Sequence, residues 1–203
     1  MTENDKQTEE KIFEAATDVF VEKGMDGARM QDIANHAGIN KALLHYYFRT
    51  KDQLFSKVFE KIAGRMFSKL APVFDEKIPL EEKIRFIFNA HISFMKDNPR
   101  LPGFILNEIN RNPARIKKLL STIEFGKVWT ILCEQHKDEL HKYNITQENL
   151  PQIMTTIASM SVFPFAARGI LEGIFQNMGV NFDKYIEERK VFAAEFVIKA
   201  ITK

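Results

Sequence analysis

The chain predicts an all-α fold in two parts, an N-terminal three-helix bundle and a larger C-terminal helical body, with about nine helices in total. Three observations carry this. Apolar residues recur at spacings of three and four along nearly the whole length, and no stretch of useful length alternates as a strand does. Only 9 Gly and 7 Pro interrupt the 203 residues, which suits long helices. Hydrophobic residues make up 45%, with 18 Phe and 8 Met among the large ones, enough for a sizeable core.

The first helix places Ile12, Ala15, Ala16, Val19 and Phe20 on one face. Residues 31–54, QDIANHAGINKALLHYYFRTKDQL, then hold two short apolar-periodic segments joined by a tight turn. Ile33, Ala34 and Ala37 form one small inward face, and Ala42, Leu44, Tyr47 and Phe48 form the next. Gly38 supplies the left-handed residue that stops the first segment, and Asn40 offers a side-chain oxygen to cap the second. This is the pattern of a helix-turn-helix, whose second helix enters the major groove of DNA. Local charge agrees with it. Residues 1–50 carry six basic and nine acidic side chains, net −3. From Ile33 to Lys51, however, there is no acidic residue, while Lys41, Arg49 and Lys51 are present with His36 and His45. A local cationic face is what phosphate contact requires.

From about Thr8 to Leu54 the sequence resembles the TetR/AcrR family of transcriptional regulators. The likeness covers the leading helix, Glu22-Lys23-Gly24, Asp32-Ile33-Ala34, Ala37-Gly38-Ile39, Asn40-Lys41-Ala42, Leu44, Tyr46-Tyr47-Phe48, Lys51 and Leu54. It departs from the family pattern at four positions. Arg29 stands where a Ser or Thr usually caps the first helix of the motif. Ala42 replaces the usual Gly, Leu43 a small polar residue, and His45 a Tyr. The resemblance implies a helix-turn-helix DNA-binding domain over 1–50 and a helical effector-binding and dimerisation domain over 51–203.

The elements after Leu54 follow in order. A helix over 52–71 carries Leu54, Phe55, Val58, Phe59, Ile62, Met66 and Leu70 on one stripe. Pro79 opens the next, with Glu81 and Glu82 in the favourable first turn; it carries Ile84, Ile87, Phe88, His91, Ile92, Phe94 and Met95 and stops before Asn98-Pro99. A short helix runs from about Pro102 to Asn110. Asn112-Pro113 begins a long helical stretch to about Lys142, bent at Gly126. A loop at 143–146 leads to an apolar helix over 147–162, which Pro164 should break or kink before a segment restarts to about Phe175. After a loop through Gly179, Asp183 caps a final helix to about Ile201. No flexible linker separates Phe48 from Leu54, so a shift of the 52–71 helix must tilt the reading head.

Catalysis finds no support. The five histidines make no H-E-x-x-H pattern, and no Cys/His cluster, Gly-rich phosphate loop or G-x-S-x-G elbow is present. No metal and no cofactor is expected. The single cysteine, Cys133, excludes an internal disulfide and reads as a small apolar side chain. No cleavable signal or membrane-length apolar run occurs, so a cytoplasmic protein without a membrane partner is expected.

The leading reading is a ligand-responsive regulator that binds palindromic operator DNA as a homodimer and represses until a small apolar or aromatic effector releases it. The alternative is a helical carrier of an apolar small molecule that does not bind DNA. Lys41, His45 and Tyr46 should face the duplex, with the Tyr46 hydroxyl on a phosphate. Leu43 should touch a thymine methyl. Arg29, Lys51 and the backbone at Asn40 should position the head on phosphates; Ala42 and Tyr47 complete the candidate set. Effector candidates are Phe88, His91, Phe94, Met95, Phe104, Glu108, Phe125, Trp129, Met154 and Thr155, large adaptable side chains with a few polar ones among them. Dimer-interface candidates are Met154, Ile157, Ala158, Ser161, Ala193, Phe196, Val197 and Ala200.

Overall fold

The computed structural model describes residues 3–69, 73, 78–114, 117, 130–131 and 133–202. Among them all regular structure is helical, and ten helices have defined bounds: α1 (Glu3–Gly27), α2 (Met30–His36), α3 (Lys41–Tyr47), α4 (Lys51–Lys69), α5 (Leu80–Asp97), α6 (Leu101–Arg111), α7 (Lys137–Lys142), α8 (Leu150–Ala166), α9 (Arg168–Asn177) and α10 (Phe182–Ile201). The chain packs as two compact units, Met1–Arg65 with Gly103–Ile123 and Met66–Pro102 with Glu124–Lys203.

In the first unit, the apolar face of α1 (Ile12, Ala15, Ala16, Val19, Phe20) meets Ile33 and Ala34 of α2, Leu44 of α3 and Leu54, Phe55 and Val58 of α4, all buried. Aromatic rings fix the geometry. Phe20 meets Phe55 edge-on at 5.1 Å, Phe55 meets Phe104 at 5.8 Å, and Phe13 meets Phe48 at 5.5 Å. Glu10 on α1 pairs with Lys61 and, at 3.0 Å, with Arg65 of α4.

One feature of α1 is not visible in its hydrophobic pattern. Gly24 takes φ 68, a left-handed conformation that breaks the helix just before its last turn. The Met25 N–H freed by this break is taken by the Glu108 carboxylate of α6 at 3.0 Å. Lys51 donates to the carbonyls of Asp26 and Ala28 at 3.3 and 2.9 Å. The junction of α1 and α2 is thus held by residues far away in sequence.

In the second unit, α5 packs against α8 and α10. Ile84, Phe88, Ile92 and Met95 of α5 are buried, as are Ile186, Ala193, Ala194, Val197 and Ile198 of α10 and Ser161 and Phe165 of α8. Arg85 bonds Glu195 at 2.7 Å and Lys96 bonds Glu187 at 2.6 Å along the rim of the α5–α10 contact. At the start of α5, both carboxylate oxygens of Glu139 accept the Leu80 N–H, at 3.1 and 3.2 Å. The same carboxylate meets the Nδ1 of buried His136 at 2.6 Å.

Three sequence expectations are corrected here. The long helix to Lys142 is interrupted at His136, whose backbone (φ −126, ψ 28) is non-helical; its Gly126 lies outside the described residues. The break or kink expected at Pro164 falls three residues later, at Ala167 (φ −100, ψ 17). Pro164 leaves the Met160 carbonyl without its helical donor, and Arg189 Nε of α10 supplies one at 3.1 Å, so the helix continues. The cap of α10 is Asn181, which accepts the Lys184 N–H at 2.9 Å; Asp183 stands in the first turn instead.

Candidate nucleic-acid interface

The α2–α3 hairpin is built from local signals. Arg29 precedes α2 in an extended conformation and gives no side-chain cap. Asp32, in the first turn of α2, is tied instead to Lys23 at the end of α1 by a 2.8 Å ion pair. That bond with Lys23 lowers the Asp32 pKa and raises that of Lys23. At the other end of α2, Gly38 takes φ 66 and the Ile39 N–H returns to the Ala34 carbonyl at 3.0 Å, a Schellman-type closure. Asn40 then caps α3, accepting the Leu43 N–H at 2.7 Å.

The buried Leu44 (0% exposed) and Phe48 (7%) fix the rotation of α3. Successive helical residues turn by about 100°, so Ala42 and Tyr46, two positions either side of Leu44, point away from the core. Leu43 and His45 flank them. The exposures agree: Tyr46 is 78% exposed, Leu43 36%, and Lys41, Ala42 and His45 are all exposed. Ala42 therefore leaves the inward set expected from the sequence, because it lies on the face opposite Leu44. Tyr47 is half-buried and donates its hydroxyl to Asp5 of α1 at 3.1 Å. Desolvation, then the Asp5 hydrogen bond, raises its pKa. It ties α3 to the start of α1, and its ring meets that of Tyr46 edge-on at 5.4 Å. Arg29 is exposed beside the hairpin, whereas the Lys51 ammonium turns inward to the carbonyls that end α1. The result is a small, capped hairpin with one outward helix face bearing a cation, two apolar side chains, a phenol and an imidazole.

Residues 12–58, which contain this hairpin, match the family model described as bacterial regulatory proteins, tetR family. The chain belongs to the TetR family of transcriptional regulators. Among its relatives is a probable HTH-type transcriptional regulator, YttP, of Bacillus subtilis, 22% identical over 78% of this chain and 77% of that one. A putative fatty acid metabolism regulator of Clostridium perfringens has the same fold (TM-score 0.69, 20% identical, 91% of this chain and 97% of that one). So does a FadR regulator from Bacillus subtilis crystallised with stearoyl-CoA (TM-score 0.60, 14% identical, 91% and 96%). Regulators of this family are DNA-binding transcription factors, not enzymes.

In this TetR-family chain the remaining candidate residues divide between the two units, and two of them lie outside the described residues. Phe88, Phe94 and Met95 are buried in the core of the second unit. His91 is largely buried beside them; its Nδ1 has no hydrogen-bond partner among the described residues, and burial lowers its pKa. Phe104 and Glu108 belong to the first unit, where the ring packs on Phe55 and the carboxylate holds the Met25 N–H. Phe125 and Trp129 lie outside the described residues. Met154 and Thr155 are exposed on α8.

An open cavity of about 370 Å³ is lined by Cys133, Lys137, Leu140, His141, Asn144, Ile145 and Thr146, none of them an expected effector contact. No group of His, Cys, Asp and Glu among the described residues could hold a metal ion. No single described helix is long and apolar enough to cross a membrane. Of the dimer candidates, Ser161, Ala193 and Val197 are buried within the chain, Ile157 is half-buried, and Met154, Ala158, Phe196 and Ala200 are exposed. Hydrophobic periodicity could not separate these groups, since inner and outer faces of α8 and α10 are both apolar. Phe163, which the sequence places on the same interface helix, is exposed as well, as are Ile170, Ile174, Met178, Val191 and Phe192.

Proposed function

We propose that this TetR-family chain is a repressor that binds a palindromic operator through α3, acts as a homodimer, and is released by a small apolar or aromatic effector. The outward face of α3 carries the reading. Ala42 and Tyr46 stand opposite a fully buried Leu44, flanked by Leu43 and His45, with no acidic side chain from Ile33 to Lys51. Lys41 and Tyr46 engage phosphates, the small Ala42 lets the helix backbone come close, and Leu43 and His45 reach base edges. Arg29 adds a phosphate contact. Lys51 acts indirectly, by holding the α1–α2 junction.

Dimerisation is supported by the apolar side chains that α8, α9 and α10 leave exposed, among them Phe163 at 60%, Ile170 at 70% and Phe192 at 60%. Large apolar side chains exposed together on neighbouring helices are the kind of surface that partner chains cover. Two heads would read half-sites about 34 Å apart or a multiple of that. Release requires that the effector favour a conformation in which that spacing is lost. The Nδ1 of His91, without a hydrogen-bond partner among the described residues, is a polar group suited to orient an apolar effector on the helix of Phe88, Phe94 and Met95.

The test is retention of a duplex selected by the protein from a random library, measured across a salt series. Wild-type affinity should fall steeply with salt. Lys41→Ala combined with Tyr46→Ala should abolish retention without changing the melting temperature, because both side chains are exposed. Full binding by that folded double variant sinks the assignment. Phe192→Asp with Phe196→Asp should convert a dimer into a monomer by light scattering. A wild-type protein that is monomeric at micromolar concentration removes the dimer from the proposal.

A further inference from the structure

We propose that His45 is a specificity-determining residue that reads an amino-bearing base, cytosine or adenine, through an unprotonated Nε2. The inference rests on the DNA-reading proposal above and adds to it the chemistry of one base. His45 is exposed at the flank of the outward face of α3, one residue past buried Leu44. Its Nδ1 lies 3.3 Å from the carbonyl oxygen of Arg49. A carbonyl only accepts, so Nδ1 is the nitrogen that carries hydrogen. A neutral imidazole has one N–H, and the hydrogen bond made by one nitrogen sets the role of the other. In the neutral ring Nε2 is then a bare acceptor.

The carbonyl that fixes this tautomer is itself held in place. Phe48, just before it, is buried and donates its N–H to the Leu44 carbonyl at 2.8 Å. Thr50, just after it, caps α4 by accepting the Gln53 N–H on its hydroxyl at 3.2 Å. Arg49 sits between two anchored residues. In the major groove, cytosine presents its N4 amino group and adenine its N6 amino group, while guanine and thymine present acceptor oxygens at the corresponding positions. An acceptor on His45 is attracted to the first pair and repelled by the second.

The experiment uses the full-length protein at pH 8 and the duplex it selects from a random library, with every position of one half-site changed to all four bases. Wild type should show a position occupied by cytosine or adenine. Guanine or thymine there should weaken binding about fivefold, the single-bond end of base discrimination. His45→Ala should level the four bases at that position and leave the others unchanged. His45→Lys, a donor only, should move the preference to guanine. A position that depends on residue 45 but prefers guanine or thymine in the wild type overturns the inference. So does a His45→Ala protein with unchanged preferences at every position. A wild-type protein that selects no duplex overturns the DNA reading itself, and this inference with it.

Discussion

Glu108 is the residue whose role the tertiary structure changes most, and its removal gives the sharpest stability test. Its carboxylate is 1% exposed and accepts the Met25 N–H at 3.0 Å, a donor that Gly24 has freed from the α1 ladder. Glu108→Ala leaves that N–H buried without an acceptor. A hydrogen bond to a charged group contributes about 1.5–3 kcal/mol, and a stranded buried donor costs about as much. The expected loss is about 2–3 kcal/mol. For a chain of this size each kcal/mol lowers Tm by about 2–4 °C, so the melt should fall by about 4–12 °C. Glu108→Gln keeps the shape and one acceptor oxygen and should lose about half as much. Urea unfolding followed by circular dichroism gives the global value. Amide exchange at Met25 gives the local one, and should speed up in the Ala variant more than at amides of α10. If Glu108→Ala unfolds within about 0.5 kcal/mol of wild type and Met25 remains as protected as before, the buried bond does not hold the α1–α2 junction.

Two further outcomes follow from contacts in the second unit. Arg189→Ala should destabilise the chain by about 1 kcal/mol, because it strands the Met160 carbonyl under Pro164; with Pro164→Ala in place the helix regains its own donor, and a double-mutant cycle in urea should show the Arg189 cost shrinking. The hydrogen bond from Arg85, and its charge, hold the Glu195 carboxyl below its ordinary 4.5, so the stability from this pair is fully present above that value and lost as pH falls through the lowered folded pKa. Urea midpoints taken from pH 6 down to pH 3 should therefore fall less steeply in Arg85→Gln than in wild type, and identical slopes would remove the pair from the acid response.

The helix-turn-helix was legible because it is made of near-neighbour chemistry. Gly38 needs only its own backbone freedom to close α2, and Asn40 needs only the N–H of Leu43 to cap α3. The periodicity of α1, α4 and α5 also revealed their buried faces, since each meets a core on one side. Other features needed partners that sequence spacing does not reveal. Whether Glu108 lines a pocket or fastens α1 depends on a residue 83 positions away. Whether Pro164 ends a helix depends on Arg189 reaching back to Met160 across 29 positions. That the Lys51 ammonium also donates to the Asp26 and Ala28 carbonyls is visible only in the fold. The apolar residues of α8 and α10 are alike in sequence, and only packing buries Ser161, Ala193 and Val197 while leaving Phe163, Phe192 and Phe196 in solvent. Local propensity and period fix what each segment becomes; which polar atoms are satisfied, and which of two apolar faces is spent inside the chain, is decided only when distant segments meet.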